Sequence, residues 1–190
     1  MKNRFRRKIL YALALLIRSL FKYLPPSWGI RVGAGVGSIT FRLLRKEREK
    51  TLRHLTLALG DEKTPEEIRR IGGAVFRNLG KTAAELIYFP KLTRENLDRW
   101  VSFEGLSRLD QVLEKGKGGV LLVAHFGNWE LLARALGLKG YGGTIIKRKV
   151  YDERFDRLLS EIREIQGIRY LDRNSSPKEM LEPFRRNQFL

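Results

Sequence analysis

The spacing of apolar residues changes character three times along the chain, and each change marks a different kind of element. From Ile9 to Ile17 every residue is apolar or aromatic, before Arg18 and Lys22 interrupt. A spanning helix usually needs about 20 apolar residues, so this run is short for one. At 100° per residue, Arg4, Arg7, Lys8, Arg18 and Lys22 fall on one side, and Leu10, Leu13, Ile17 and Leu24 lie away from it. The pattern predicts a helix over 2–24, basic and amphipathic, lying in a membrane interface. The alternatives are a tilted single span with Arg18 and Lys22 snorkelling, and a buried packing helix. No small-residue cleavage site follows, which argues against a removed signal peptide.

Pro25-Pro26 breaks this helix, with Tyr23 and Trp28 beside the break as interface aromatics. A second apolar helix is predicted over 28–44. Its Gly33-x-x-x-Gly37 spacing permits close helix packing. The same glycines are no nucleotide loop, because no strand precedes them and no Gly-Lys-Ser/Thr follows. Residues 42–54 are strongly charged and continue as a solvated or lipid-facing helix. A Gly60-Asp61 turn comes next. Thr64-Pro65-Glu66-Glu67 then starts another helix, with Thr64 as N-cap and Glu67 completing a capping box. Ile68, Ile71, Val75, Leu79, Ala83 and Leu86 recur at helical spacing until Pro90 ends it.

From Trp100 the apolar runs shorten and alternate with helical patterns. Strands are predicted at 101–103, 119–124, 143–146 and 168–171, and helices at 106–115, 128–138, 155–166 and 177–186. The run 119–124 is continuously apolar, as for a strand covered on both faces. Such alternation predicts an α/β layered domain with a mainly parallel sheet and right-handed connections. The organisation expected is membrane-associated helices over 1–45, a helical segment over 46–99, and a partial α/β domain over 100–190. Four strands are few for a sheet, and the last helix hands over to no further strand. The expectation is therefore an incomplete sheet in a piece of a longer domain.

Charge sharpens the reading of the N-terminus. Residues 1–50 hold 13 Lys/Arg against 2 Glu, while 51–190 hold 25 against 19 Asp/Glu. Positive charge concentrated beside apolar helices favours an anionic membrane surface over nucleic acid. There is no cysteine, which excludes disulfides, thiolate nucleophiles and Cys-ligated zinc. With only His54 and His125, a histidine-rich metal site is not expected. His54 lies among leucines with no acidic residue at useful spacing and reads as structural.

Chemistry concentrates in Val120-Leu121-Leu122-Val123-Ala124-His125-Phe126-Gly127-Asn128-Trp129-Glu130. An apolar run delivers His125 into a turn that Gly127 permits. Asn128 caps a helix, and Glu130 lies in its first turn. The bend is needed, because positions five apart on one straight helix diverge by about 140°. A neutral imidazole there can take a proton from an attacking alcohol while the carboxylate stabilises the imidazolium. No Gly-x-Ser-x-Gly elbow exists, so direct attack by a bound hydroxyl is preferred to an acyl-enzyme. Equally open is a buried His125 at a strand end, with Glu130 merely favouring its helix N-terminus. Lys147-Arg148-Lys149 follows the next strand and Arg173 the last, where cations bind anionic groups or are simply solvated.

The block His125-Phe126-Gly127-Asn128-Trp129-Glu130 resembles the catalytic block of the late acyltransferases of lipid A biosynthesis. These form the lauroyl/myristoyl transferase family within the lysophospholipid acyltransferase superfamily. Phe76-Arg77-Asn78-Leu79-Gly80-Lys81-Thr82, Phe103-Glu104-Gly105-Leu106, Asp156-Arg157-Leu158-Leu159 and Arg173 extend the resemblance over most of the chain. It implies a glycerolipid-acyltransferase-like fold, His125 as general base and Glu130 as its partner. It implies that Phe126, Gly127 and Asn128 line the substrate pocket and that Arg148 and Arg173 bind substrate. The activity implied is transfer of a fatty acyl group from acyl carrier protein or coenzyme A to a glycolipid hydroxyl. The place implied is the cytoplasmic face of the inner membrane, with no metal, no further cofactor and no nucleic acid. Two departures stand out. Family members continue well past the position of Leu190, and Lys149 stands where a proline commonly follows the arginine. The alternative expectation is a catalytically incomplete membrane-binding fragment of such an enzyme.

Overall fold

A computed structural model describes residues 2–164 and 167–190. The chain divides into two compact units, Met1–Tyr88 and Phe89–Leu190.

The first unit is helical: α1 (Lys2–Tyr23), α2 (Pro26–Leu43), α3 (Arg45–Leu59) and α4 (Pro65–Tyr88). The breaks fall where backbone chemistry demands them. Pro25 cannot continue α1, and Pro26 opens α2 at a position whose N–H is not needed. The charged stretch does not simply prolong α2. Leu44, at φ −87° and ψ 78°, leaves the helical region and separates it from α3. Thr64 and Glu67 form the expected reciprocal cap: the Glu67 carboxylate accepts from the Thr64 N–H at 3.0 Å, and the Thr64 hydroxyl accepts from the Glu67 N–H at 3.3 Å.

Helices α2 and α4 meet at backbone distance. Gly29, Gly33 and Gly37 are the buried residues of α2. A Cβ built on Gly33 would overlap the Gly80 carbonyl and the Ala84 methyl, one on Gly37 the Phe76 carbonyl, and one on Gly80 the Gly33 carbonyl. Gly29 leaves room for Tyr88, whose hydroxyl donates to the Leu24 carbonyl at 3.3 Å. Phe41 closes the other end edge-on against Phe76, with ring centroids 5.3 Å apart. Among the described residues no helix is long and apolar enough to cross a membrane, so the tilted span weighed for 2–24 has no such helix to support it.

The second unit begins with a short 3-10 turn, Phe89–Lys91, and a second at Leu97–Arg99. It continues through α5 (Leu106–Leu113), α6 (Trp129–Lys139), β1 (Gly143–Lys147), α7 (Glu153–Arg163), β2 (Ile168–Asp172) and α8 (Pro177–Arg185). Leu92, Leu97 and Ala135 form its innermost cluster, with Trp100, Phe103 and Leu131 packed around it. Arg134 of α6, 9% exposed, donates to the carbonyls of Glu164 and Leu92 and lies over the Phe89 ring. Strands β1 and β2 run parallel in the register Gly143↔Ile168 to Lys147↔Asp172. Gln188–Leu190 lies on the other side of β1. Phe189 bridges both Gly143 and Gly119 in parallel, and the Leu121 N–H donates to the Leu190 carbonyl at 2.8 Å.

Three expectations are corrected. Residues 101–103 form no strand. Residues 119–124 form no strand either, beyond that one bridge, and their apolar side chains face outward: Val120 is 70% exposed and Leu122 95%. A strand exists only through its neighbours. Here the neighbour, residues 188–190, pairs with Gly119 and Leu121 and goes no further along the run. The sheet thus has two strands, not four. Helix α7 ends at Arg163, and the end predicted for it at 166 lies outside the described residues.

The seam between α2 and α4 makes a stability prediction. Gly80→Ala forces a methyl into the Gly33 carbonyl and is expected to cost about 1–3 kcal/mol. Gly35→Ala, which meets nothing within 4 Å, is expected to gain up to about 1 kcal/mol from helix propensity. Thermal melting followed by circular dichroism checks both, and equal melting temperatures for the two variants would contradict the seam.

Candidate functional site

The parallel bridges set out the candidate residues by register. Gly119, Phe189, Gly143 and Ile168 stand abreast on four parallel segments. His125 follows the first segment, Arg148 follows β1 and Arg173 follows β2. Arg148 and Arg173 therefore leave the same, C-terminal edge of β1 and β2, where ligands bind open α/β sheets, while His125 lies beyond Leu121, the last paired position of its segment. Strands spaced at about 4.8 Å put the first segment and β1 roughly 10 Å apart, with residues 189–190 between their starts.

Beyond that first segment Phe126 turns sharply, its N–H donating to the Ala124 carbonyl at 2.8 Å. Gly127 has φ +60°, in the left-handed region that a side chain would strain. Asn128 caps α6 as its sequence predicts, its side-chain oxygen accepting from the Leu131 N–H at 2.9 Å. His125 is exposed, and its ring lies 4.8 Å from that of Trp129, inclined at 48°. Phe126 is 88% exposed.

Glu130 is elsewhere. Its carboxylate takes a two-pronged ion pair from Arg163 of α7, with Nε to one oxygen at 2.8 Å and Nη2 to the other. The side chains are only 17% and 12% exposed for Arg163 and Glu130. The Arg163 guanidinium also lies over the Tyr170 ring, 5.9 Å from its centroid. Burial pushes the Tyr170 phenol up to about 12; the Glu130 charge adds to this, and Arg163 and Arg134 act against it. The structure thus brings Glu130 to Arg163 and does not bring it to His125. The pairing with Arg163 was invisible in the sequence, because the residues lie 33 positions apart on different helices.

The cations sort themselves. Lys147 is engaged, 3.3 Å from Asp156 and 3.1 Å from the Ser160 hydroxyl. The Val150 N–H, and after it Lys147, holds the Asp156 carboxyl below its ordinary range. Arg148, Lys149 and Arg173 are exposed at the strand ends, and the Arg173 N–H donates to the Lys147 carbonyl at 2.9 Å. Arg148 and Arg173 thus follow the ends of adjacent strands. Among the described residues no group of three His, Asp or Glu gathers to hold a metal ion.

The model of one family, described as bacterial lipid A biosynthesis acyltransferase, matches residues 2–190. The chain belongs to this family. Among curated proteins no match is found. As a lipid A biosynthesis acyltransferase family member, the chain falls within an enzyme family that transfers acyl groups to a lipid A-like acceptor.

The site's ion pair gives two predictions. Arg163→Ala leaves the Glu130 carboxylate without its partner. The expected cost is about 2 kcal/mol, below the ~3–5 kcal/mol of a fully buried pair because both groups keep some water contact. Adding Glu130→Gln to Arg163→Ala should recover at least half of it, read from denaturant midpoints. For Tyr170, the folded pKa lies above the ordinary value of about 10, so the fold favours the neutral phenol. That contribution is complete below about pH 10 and is lost as pH rises from there to about 12. Tyr170→Phe is expected to flatten the fall in melting temperature across that window, and an unchanged slope would exclude the assignment.

Proposed function

We propose that this chain is a membrane-associated O-acyltransferase. It moves a fatty acyl group from an acyl carrier protein or coenzyme A thioester to a hydroxyl of a lipid A precursor-like glycolipid, at the cytoplasmic face of the inner membrane. What supports the reading is the family, together with the order along the chain: His125 follows the segment bridged at Gly119, and Arg148 and Arg173 follow the paired strands β1 and β2.

In this reading neutral His125 takes the proton of the acceptor hydroxyl as its oxygen attacks the thioester carbonyl. The tetrahedral intermediate collapses by breaking the C–S bond. The imidazolium returns the proton to the departing thiolate, which leaves as the free thiol. The start of α6 supplies backbone N–H groups and the positive end of a helix dipole for the oxyanion. Phe126, Gly127 and Asn128 line the acyl side, and Arg148 and Arg173 hold an anionic group of the acceptor or donor. Glu130 keeps both prongs of Arg163 and still has lone pairs to accept from His125 once the 125–128 turn brings the ring over. Arg163 then positions the carboxylate instead of competing for it.

A second reading, a member that binds membrane without turning over, is favoured by the outward-facing Val120 and Leu122 and by the separation of Glu130 from His125. One assay separates the two. The cysteine-free chain contributes no background to a thiol-reactive dye, so thiol release from an acyl thioester is read directly. Acceptor-dependent release is expected, falling at least about 100-fold in His125→Ala with the circular dichroism spectrum retained. An unchanged rate in that variant, or no release from folded protein, rejects catalysis by His125.

A further inference from the structure

Helix α3 divides its cations into two groups. On its packed side, Leu52 and Leu55 line the space beside Gly72 of α4. Arg48 is engaged there, its guanidinium donating to the carbonyls of Phe41 and Arg42 at 3.3 and 2.8 Å. Arg45 holds Glu49 at 2.7 Å. Lys46, Lys50 and Arg53 are exposed, and their side chains make no ion pair or hydrogen bond among the described residues. At 100° per residue these three and Leu57 fall within about 60° of arc, centred about 160° from Leu52 and Leu55. Leu57 is 81% exposed. Like charges one turn apart, as at Lys46 and Lys50, destabilise a helix, so folding does not account for this row.

Shape and charge select the occupant. The row is the convex face of a helix, not a cleft, and from Lys46 to Leu57 it runs about 16 Å, too far for one small anion to touch all of it. The broad apolar arc of an interfacial helix is missing: Leu57 is the only apolar member of the row, and Glu47 and Glu49 stand on the same helix. A second copy of the chain would set cations against cations. Three cations one turn apart, ended by an exposed leucine, complement a protein surface that carries carboxylates around an apolar spot. The thioester donor of the proposed function can be such a protein.

We infer that the outer row of α3, Lys46, Lys50, Arg53 and Leu57, is the docking surface for an acidic carrier protein that brings the acyl thioester. The identity of the partner rests on the proposed acyl transfer, and the donor is thereby the carrier-protein thioester, not free coenzyme A thioester. Docking is read as binding, without turnover, so either reading can fail alone.

The test titrates a dye-labelled acyl carrier protein with the full chain in detergent at low ionic strength, read by fluorescence anisotropy. Lys46→Glu, Lys50→Glu and Arg53→Glu together are expected to weaken binding about tenfold or more, with the melting temperature retained. The same charge change made elsewhere, as Lys115→Glu, Lys117→Glu and Lys178→Glu, all exposed, is expected to weaken it less than about twofold. Leu57→Ser, which alters no charge, is expected to weaken it about threefold or more, and it serves alone if the charge-reversed row fails to fold. The inference is overturned if the parent chain does not bind the carrier protein, or if neither the row variant nor Leu57→Ser weakens binding. It is equally overturned if the two triple variants weaken binding alike, which would assign the attraction to the net charge of +17. A row variant that keeps its affinity for the carrier protein but no longer sediments with phosphatidylglycerol vesicles would overturn it too, and assign the row to lipid.

Discussion

The first unit rests on the contact between the Gly33 carbonyl of α2 and Gly80 of α4, where two backbones touch with no side chain between them. Everything else in that unit is arranged around it. Because α2 meets α4 through glycines along most of the seam and through Phe41 at one end, Trp28, Val32 and Ile39 stay exposed beside it. Because the helices are so close, Tyr88 reaches the vacancy at Gly29 and donates to the end of α1 at Leu24. Dispersion across close-packed backbone acts in water and equally in lipid, where the hydrophobic effect is absent.

In the second unit a comparable role falls to the Glu130–Arg163 pair. It ties the first turn of α6 to the last turn of α7, and the Tyr170 ring of β2 packs against the same guanidinium. A carboxylate held at both oxygens has a fixed orientation. Arg163 thus fixes the first turn of the helix that follows the candidate histidine.

Much of this was legible in the sequence where the cause is local. The Pro25-Pro26 break, the Thr64–Glu67 cap, the Asn128 cap and the glycine contact of α2 each follow from residues within one or two turns of each other. The run 119–124 failed for the opposite reason. Its apolar composition states what it would bury, but only a neighbour along its length makes a strand, and composition does not name the neighbour. The partner of Glu130 was missed likewise: five residues separate it from His125, and its actual partner lies on another helix. The strand order places Arg148 and Arg173 at neighbouring strand ends, and the pairing of Phe189 with both Gly119 and Gly143 is announced by no pattern in the chain.

That pairing by Phe189 also bears on the order in which the chain acquires its shape during synthesis. Helices α2 and α4 lie close in sequence, so their seam can close while the ribosome is still translating the second unit. The bridge between Gly119 and Gly143 must wait for Gln188–Leu190, some 45 to 70 residues further on. Until those residues emerge, Val120, Leu122 and Val123 are held by nothing, and the nascent chain carries an unsecured apolar segment directly before its candidate histidine.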